Sequence, residues 1–436
     1  MTPTERRPTL VSMDKNVGFV SFRLAGTDGV SLEAKKWAEI FGRNNCRSFF
    51  LGGEIDTPPE VSMTAPLFHF QEPEVREVYE QCFGQSVRHR ALTQKIHEHR
   101  SKIKDALYEF INRFKIDILI PQNAITIPLN VPLGMALTEV IAETGINTIA
   151  HHHDFFWERK RFLVNCVWDY LNSCYPPHLP NIHHVVINTS GQNQLALRTG
   201  ISSTLIPNVM DFETPAPGID DYNRDVRQAL GVSEDELLIL QPTRVVQRKG
   251  IEHAIELVAR LGRKAALVIS HASGDEGYEY QQRIEEYAEL LKIRAIFVQD
   301  IIGDVRGTTP DGRKVYSLAD VYPHADLVTY PSIFEGFGNA FLETVYHRKP
   351  VMVNNYSIYS HDIKPKGFKV IEMDDFISSE TVEHTKRIID SKDLRDEMAE
   401  INYSLATQYF SYRNLDAKLR HIARNFYGLT EGGHIG

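Results

Sequence analysis

The chain has 436 residues, and at about 150 residues per domain that length suits two or three domains. Its 48 Lys and Arg against 57 Asp and Glu leave a net charge of −9, without the strong basic excess of a general nucleic-acid binder. Hydrophobic residues at 42% and charged residues at 24% are globular proportions, which excludes a disordered or collagen-like chain.

The opening stretch 1–16 is polar and lacks the apolar core of a signal peptide, and no run of about 18 apolar residues follows, so a cytoplasmic protein without integral membrane association is expected. Cys46, Cys82, Cys166 and Cys174 form no Cys-x-x-Cys pair and read as reduced thiols.

From there strands alternate with helices. The apolar run Val17–Phe22 is followed by the turn Gly26-Thr27-Asp28-Gly29 and by a helix carrying Leu32, Trp37, Ile40 and Phe41. Further strands are predicted at Ser48–Leu51, Ile116–Ile120, Asn147–Ala150 and Val185–Asn188, with helices over Pro132–Thr144 and Glu158–Cys174. The Pro- and Asp-rich stretch Met210–Tyr222 reads as a linker. The alternation then restarts with strand Leu237–Gln241, helix Ile251–Leu261, strand Ala265–Ser270, helix Tyr278–Leu291 and strand Ala295–Val298. It continues with helix Tyr316–Tyr322, strand Leu327–Tyr330, helix Gly338–His347, strand Pro350–Val353 and a helical stretch over about 378–427. The Gly-rich segment Gly303–Arg313 reads as an exposed loop. Such alternation gives parallel sheets, and two α/β domains across a cleft are expected, because open α/β sheets bind ligands at the carboxyl ends of their strands. The expected divisions are an N-terminal domain over 1–209, a second over 210–410, and a helical segment over 411–436 packing back on the first.

Four stretches carry chemistry. In Ser332-Ile333-Phe334-Glu335-Gly336-Phe337-Gly338-Asn339-Ala340-Phe341-Leu342-Glu343, two glycines at a strand–helix turn admit a ligand and the helix start presents N–H groups to an anion. Glu335 precedes the turn and suits sugar hydroxyls. Glu343 lies eight residues later, about two turns down the same helix, and suits a second set of hydroxyls such as a ribose. The plainer alternative is a helix with a Gly-rich entry and two solvated glutamates.

In Gln241–Gly250, Arg244 and Lys249 sit in a strand–helix loop and suit a diphosphate that gains charge as it leaves, against the alternative of a solvated basic loop. The turn Gly26-Thr27-Asp28-Gly29 suits a phosphate, a sugar or an acceptor, but Gly-rich turns also serve packing. His151-His152-His153-Asp154 ends a strand. His151 and His153 share a side, but no third ligand accompanies them, so the reading is that one histidine meets substrate rather than metal. Phe155-Phe156-Trp157 reads as core rather than as an acceptor wall, and Glu158–Arg161 as a solvated helix start; with Arg88, Arg90 and Lys95 that start offers an attraction for an anionic acceptor.

Together these stretches resemble the retaining glycosyltransferases of the GT-B fold, specifically their large fourth family of sugar-nucleotide-dependent enzymes. The resemblance also includes Ile206-Pro207-Asn208, Tyr330-Pro331-Ser332 and Lys349-Pro350-Val351-Met352-Val353. It implies two Rossmann-like domains and transfer of a hexose from a nucleotide diphosphate sugar, of UDP-glucose or GDP-mannose type, to a small soluble acceptor that is anionic or a sugar.

By the same resemblance Arg244 and Lys249 hold the donor diphosphate and Glu335 meets the donor sugar. Gly336, Phe337, Gly338 and Asn339 offer amides, Glu343 takes the ribose, and His153 is the histidine that contacts the donor sugar, with His151 its rival. Gly26, Thr27, Asp28 and Gly29 fall on the acceptor or phosphate side. The nucleotide sugar is a co-substrate, and neither metal nor other cofactor is implied. Two alternatives remain: a sugar-nucleotide epimerase of the same shape, and a non-catalytic nucleotide-sugar binding protein.

Overall fold

The computed structural model describes residues 14–26, 28–270, 279–298 and 301–427. Of the stretches above, residues 1–13, Thr27, Tyr278 and residues 428–436 lie outside the described residues. Residues up to Pro207, with those from Arg413 onward, form one compact unit, and Asn208–Tyr412 forms the other. Both divisions fall two residues from the expected ones.

The first unit opens with β1 (Asn16–Val20), α1 (Gly29–Arg43), β2 (Arg47–Gly52) and β3 (Ser62–Thr64). Then come α2 (Pro73–Cys82), α3 (Arg90–Phe114), β4 (Ile118–Pro121), α4 (Val131–Thr144) and β5 (Asn147–His152). It continues through α5 (Lys160–Leu163), α6 (Trp168–Cys174), β6 (Ile182–Val186), α7 (Thr189–Thr199) and β7 (Thr204–Leu205). The seven strands pair in parallel in the order β3-β2-β1-β4-β5-β6-β7. Helices bury both faces of the sheet, which is why its central strands read as unbroken apolar runs. On one face Val20, Leu51, Leu119 and Ala150 pack with Leu107 and Phe110 of α3 and Leu133 and Leu137 of α4. On the other, Phe19 stacks on Phe50 at 5.4 Å and meets Phe41 of α1 edge-on at 6.4 Å.

The helix expected over Glu158–Cys174 is two helices with a break between them. Asn165 makes the break: its Nδ2 donates to the Phe162 carbonyl at 2.9 Å and its Oδ1 accepts from the Val167 N–H at 3.0 Å, replacing the helical bonds.

The second unit runs α8 (Val226–Ala229), β8 (Leu237–Gln241), α9 (Ile251–Leu261), β9 (Ala265–Ile269), α10 (Glu279–Leu290) and β10 (Arg294–Phe297). Three short strands follow, β11 (Ile302–Gly303), β12 (Gly307–Thr308) and β13 (Lys314–Ser317), then α11 (Leu318–Val321) and β14 (Leu327–Tyr330). Last come α12 (Asn339–Tyr346), β15 (Val351–Asn354), β16 (Ile371–Met373), α13 (Ser379–Asp390) and α14 (Lys392–Phe410). Six strands pair in parallel in the order β10-β9-β8-β14-β15-β16, around a core of Ile239, Leu267, Leu327 and Met352 with Ile255 and Val258 of α9.

Two expectations are corrected here. Gly303–Arg313 is no plain loop: β11, β13 and β12 form a small sheet of their own. Arg306 ties it down, donating from Nε to Asp320 at 3.0 Å and from Nη2 to Asp220 at 2.8 Å, while Lys314 holds Asp225 at 2.9 Å. The helix expected over Tyr316–Tyr322 starts only at Leu318. Asp320 accepts from the Ser317 N–H and hydroxyl, both at 2.8 Å, so Ser317 ends β13 and caps α11.

A last helix, α15 (Tyr412–Tyr427), lies within the first unit from Arg413 onward. Asn44 donates to its Asp416 at 2.6 Å, and its Lys418 donates to the Leu205 carbonyl at 2.6 Å. Among the described residues no helix is long and apolar enough to cross a membrane.

Candidate active site

The chain leaves β14 at Tyr330 and enters α12 at Asn339. Asn354, at the end of β15, donates to the Ser332 carbonyl at 3.2 Å and fixes the intervening loop. Gly338 caps the helix at φ +135°, and a Cβ there would sit 2.5 Å from the Tyr356 hydroxyl, which itself donates to the Phe337 carbonyl at 2.7 Å. A side chain is therefore shut out twice, by backbone angle and by space. The open helix end carries the positive pole that suits an anion. Glu335 lies before this helix rather than on it, so Glu343 stands about one turn inside α12 and not two turns below Glu335. Glu343 accepts from the Tyr322 hydroxyl at 3.3 Å, and Tyr322 stacks on His347 at 4.4 Å.

The loop after β8 is held by a buried chain of polar groups. Gln241 donates to Thr243 at 2.8 Å and accepts from Thr329 of β14 at 2.6 Å. Gly250 closes the loop at φ +59°; a Cβ there would lie 2.6 Å from the Pro331 carbonyl. The Ile333 N–H donates to the Arg248 carbonyl at 2.9 Å. These contacts bind the two loops together, and the side chains meet where they touch.

Lys249 Nζ donates to Glu335 Oε1, and Arg248 donates to Glu335 Oε2 at 3.2 Å. The Lys249 and Glu335 side chains are 11% and 10% exposed. Burial works to raise the Glu335 carboxyl, but the charges of Lys249 and Arg248 outweigh it and hold the group below its ordinary value. Burial pushes the Lys249 ammonium down, against the pull of Glu335, and the neighbouring Arg248 and Arg244 push the same way. The pair is ionised and desolvated, with Lys249 Nζ also 5.7 Å from the Tyr330 ring centre. Arg244 is exposed on the same loop.

The structure thus brings Lys249 and Glu335 together, where the sequence read them as separate ligands, and adds Arg248. Arg248 lay in plain view beside Lys249, but its partner is 87 residues away. Asn208 of Ile206-Pro207-Asn208 also enters here, donating to Asn339 at the start of α12 at 2.7 Å.

In the first unit Gly26 turns at φ +69° and donates its N–H to Asp56 at 2.9 Å. Asp28 caps α1, which begins at Gly29: it accepts from the N–H groups of Val30 and Ser31 at 3.1 and 3.3 Å and from the Ser31 hydroxyl at 2.5 Å.

The histidine run alternates across β5. His151 is 1% exposed and lies flat on Trp37 at 4.1 Å, with both ring nitrogens unpartnered. His152 points the other way, bonding Thr126 at 2.8 Å and His184 at 2.9 Å. His153 is half-buried and bonds Gln122 at 3.0 Å; burial pushes its ring down to about 4, over the opposing pull of Asp154 and Asp28. His153 is therefore the less buried of the two, and the one with a hydrogen-bond partner on its ring. Among the described residues no three His, Cys, Asp or Glu side chains gather to hold a metal ion.

Phe155 and Phe156 are core, and Trp157 stacks on Phe155 at 4.6 Å. Of the basic residues read as an acceptor lure, Arg88 is taken by Asp169 through two bonds of 2.7 Å and Lys95 by Glu77 at 2.6 Å. Arg159 pairs with Asp154, its Nε donating at 2.5 Å.

Comparison with known proteins agrees with this picture. Residues 223–404 match the family model of glycosyl transferases group 1. A mannosylglucosylglycerate synthase of Petrotoga mobilis is 32% identical over 381 residues, covering 82% of this chain and 86% of the relative. One of Thermotoga maritima is 30% identical over 440 residues, covering 92% and 97%. Among solved structures, a glycosyltransferase of Rickettsia africae superposes with a TM-score of 0.69 at 13% identity, over 95% of this chain and 99% of that one. Two parallel Rossmann-like sheets in this order are the GT-B architecture expected from the sequence. With a relative above 30% identity along most of its length, the chain belongs to the group 1 glycosyltransferases.

Proposed function

We propose that this protein is a retaining hexosyltransferase that draws on a nucleotide diphosphate sugar, of UDP-glucose or GDP-mannose type, and glycosylates a hydroxyl of a small anionic acceptor. The observation that carries the reading is the buried Glu335–Lys249 pair with the more exposed Arg248 beside it, in the loops that lead into α9 and α12. Cations paired in those loops and the N-terminus of α12 suit a diphosphate whose charge grows as it departs. Glu343, about one turn into the helix, suits the ribose.

In the transfer the bond from the sugar's anomeric carbon to the phosphate oxygen breaks, and the diphosphate leaves with the electron pair. The acceptor oxygen bonds to that carbon, and its proton passes to the departing phosphate oxygen. Lys249, Arg248 and Arg244 stabilise the leaving charge, and Glu335 holds Lys249 and Arg248 in place. This chemistry is positioning plus charge stabilisation. It draws its positive charge from side chains and the helix end, so activity retained in EDTA is expected; loss restored by one divalent ion would contradict it.

The name of the relatives, mannosylglucosylglycerate synthase, describes a product with two hexoses and a glycerate. It makes GDP-mannose and a glucosylglycerate the first pair to test. Nucleoside diphosphate released only when acceptor is present supports transfer. Conversion of the donor without acceptor indicates an epimerase, and binding without turnover a non-catalytic binding protein.

A further inference from the structure

Beside the start of α1 the first unit has a pocket of about 170 Å³, lined by Phe22 and Phe70 among apolar residues and by Arg23, Asp28, Asn123 and Arg159. Its polar groups are already ordered from behind. Asn123 donates to Asp154 at 2.7 Å and accepts from the His153 N–H at 3.0 Å, so the pocket lining is tied to the end of β5. Asp154 in turn holds Arg159, and Arg23 lies 3.6 Å from Asp28, a loose pair. Asp28 is occupied by the cap of α1. Each arginine has five N–H donors, and the contacts above engage only part of them. The Arg23 and Arg159 side chains remain partly exposed, at 34% and 43%.

Arg23 and Arg159 at the pocket, with Asp28 and the Asp154 behind Arg159, balance to a neutral set before a ligand enters. A planar monoanion matches the arginine fork and adds one negative charge. A dianion brings twice the charge against Asp28 and Asp154. We infer that this pocket takes the carboxylate of the acceptor on Arg159 and Arg23, and selects against acceptors that carry a phosphate at the same place. This rests on the glycosyltransferase reading, and it assigns acceptor choice to residues that take no part in holding the donor.

The test measures binding of three acceptors to the full protein by calorimetry, with and without the nucleoside diphosphate: a glucosylglycerate, its neutral glucosylglycerol analogue, and a glucosylglycerol phosphate that carries a phosphate monoester in place of the carboxylate. The carboxylate should bind at least about tenfold more tightly than the neutral analogue, the loss expected for one charge-assisted pair, and the phosphate ester should bind more weakly than the carboxylate. Arg159→Gln and Arg23→Gln should each remove most of the carboxylate preference while leaving donor binding unchanged, and Arg159→Lys should recover part of it. If Arg159→Gln fails to fold, Arg23→Gln carries the test. Equal binding of carboxylate and neutral acceptor, strongest binding of the phosphate ester, or an unchanged preference in the variants overturns the inference. Binding needs no turnover, so a carboxylate preference without transfer would overturn the proposed reaction and leave this inference standing. Transfer to neutral and carboxylated acceptors alike would do the reverse.

Discussion

Replacing Lys249 with Met removes the ammonium from a carboxylate that is 10% exposed and leaves Arg248, at 3.2 Å, as its remaining cation. Breaking a buried ion pair costs about 3–5 kcal/mol, because the remaining charge stays desolvated. Arg248 keeps the cost near the lower end, about 3 kcal/mol. A unit of about 200 residues loses about 2–4 °C per kcal/mol, so its Tm should fall by about 6–12 °C. The deficit should also depend on pH in one direction. With Lys249 gone, burial raises the Glu335 carboxyl toward protonation, and protonation relieves the buried charge. The gap to wild type should therefore narrow as pH falls from about 7.5 to about 5. Glu335→Gln combined with Lys249→Met should cost less than the sum of the single changes, since both act on one interaction. Calorimetric unfolding of the four proteins at both pH values reads this out. A Tm within about 2 °C of wild type for Lys249→Met, with additive single changes, would mean the pair is a solvated contact and would refute the reasoning.

Other outcomes follow from the same geometry. Burial holds His184 at about 3 and His153 at about 4, while the unfolded chain protonates these rings near about 6.5, so below that pH the unfolded state binds more protons and stability falls. At about pH 5 His184 alone should cost about 2 kcal/mol; a urea midpoint unchanged between about pH 7 and about pH 5 would contradict this. Gly250→Ala meets the Pro331 carbonyl at 2.6 Å as well as a positive φ, whereas Gly262→Ala meets only the positive φ, with nothing within 4 Å. The second should cost about 1–2 kcal/mol and the first clearly more, read as Tm; equal losses would show that the loop gives way. Arg244→Ala should lower kcat more than it raises donor KM, by about 100- to 1000-fold, and Arg244→Lys should rescue only part. A wild-type kcat with a raised KM would make Arg244 a plain binding group.

The parallel strands were legible because burial on both faces writes them as apolar runs, as in Leu237–Gln241 and Leu327–Tyr330. What was missed has local causes. The small sheet around Gly307 has short strands, an exposed β12, and anchors in Arg306 and Lys314 that pair with residues far along the chain. The helix α3 was not assigned, although Leu92, Ile96, Ile103, Leu107, Phe110 and Phe114 recur at helical spacing among its charges. At the site, Gly338 and the motif around it were readable from residue order. The pairing of Lys249 and Arg248 with Glu335 was not, because it depends on β8 and β14 being neighbours in the sheet. The same holds for Asn123 with His153, which meet only because β4 lies beside β5.

The proposed reaction moves a hexose to a small anionic acceptor with its anomeric configuration kept. Proton NMR of a reaction holding GDP-mannose and a glucosylglycerate, followed from the first turnovers, tests it most directly. The expected product is a new glycoside with the donor's own anomeric configuration, appearing one-for-one with nucleoside diphosphate. An inverted first product, or free hexose in its place, would contradict it.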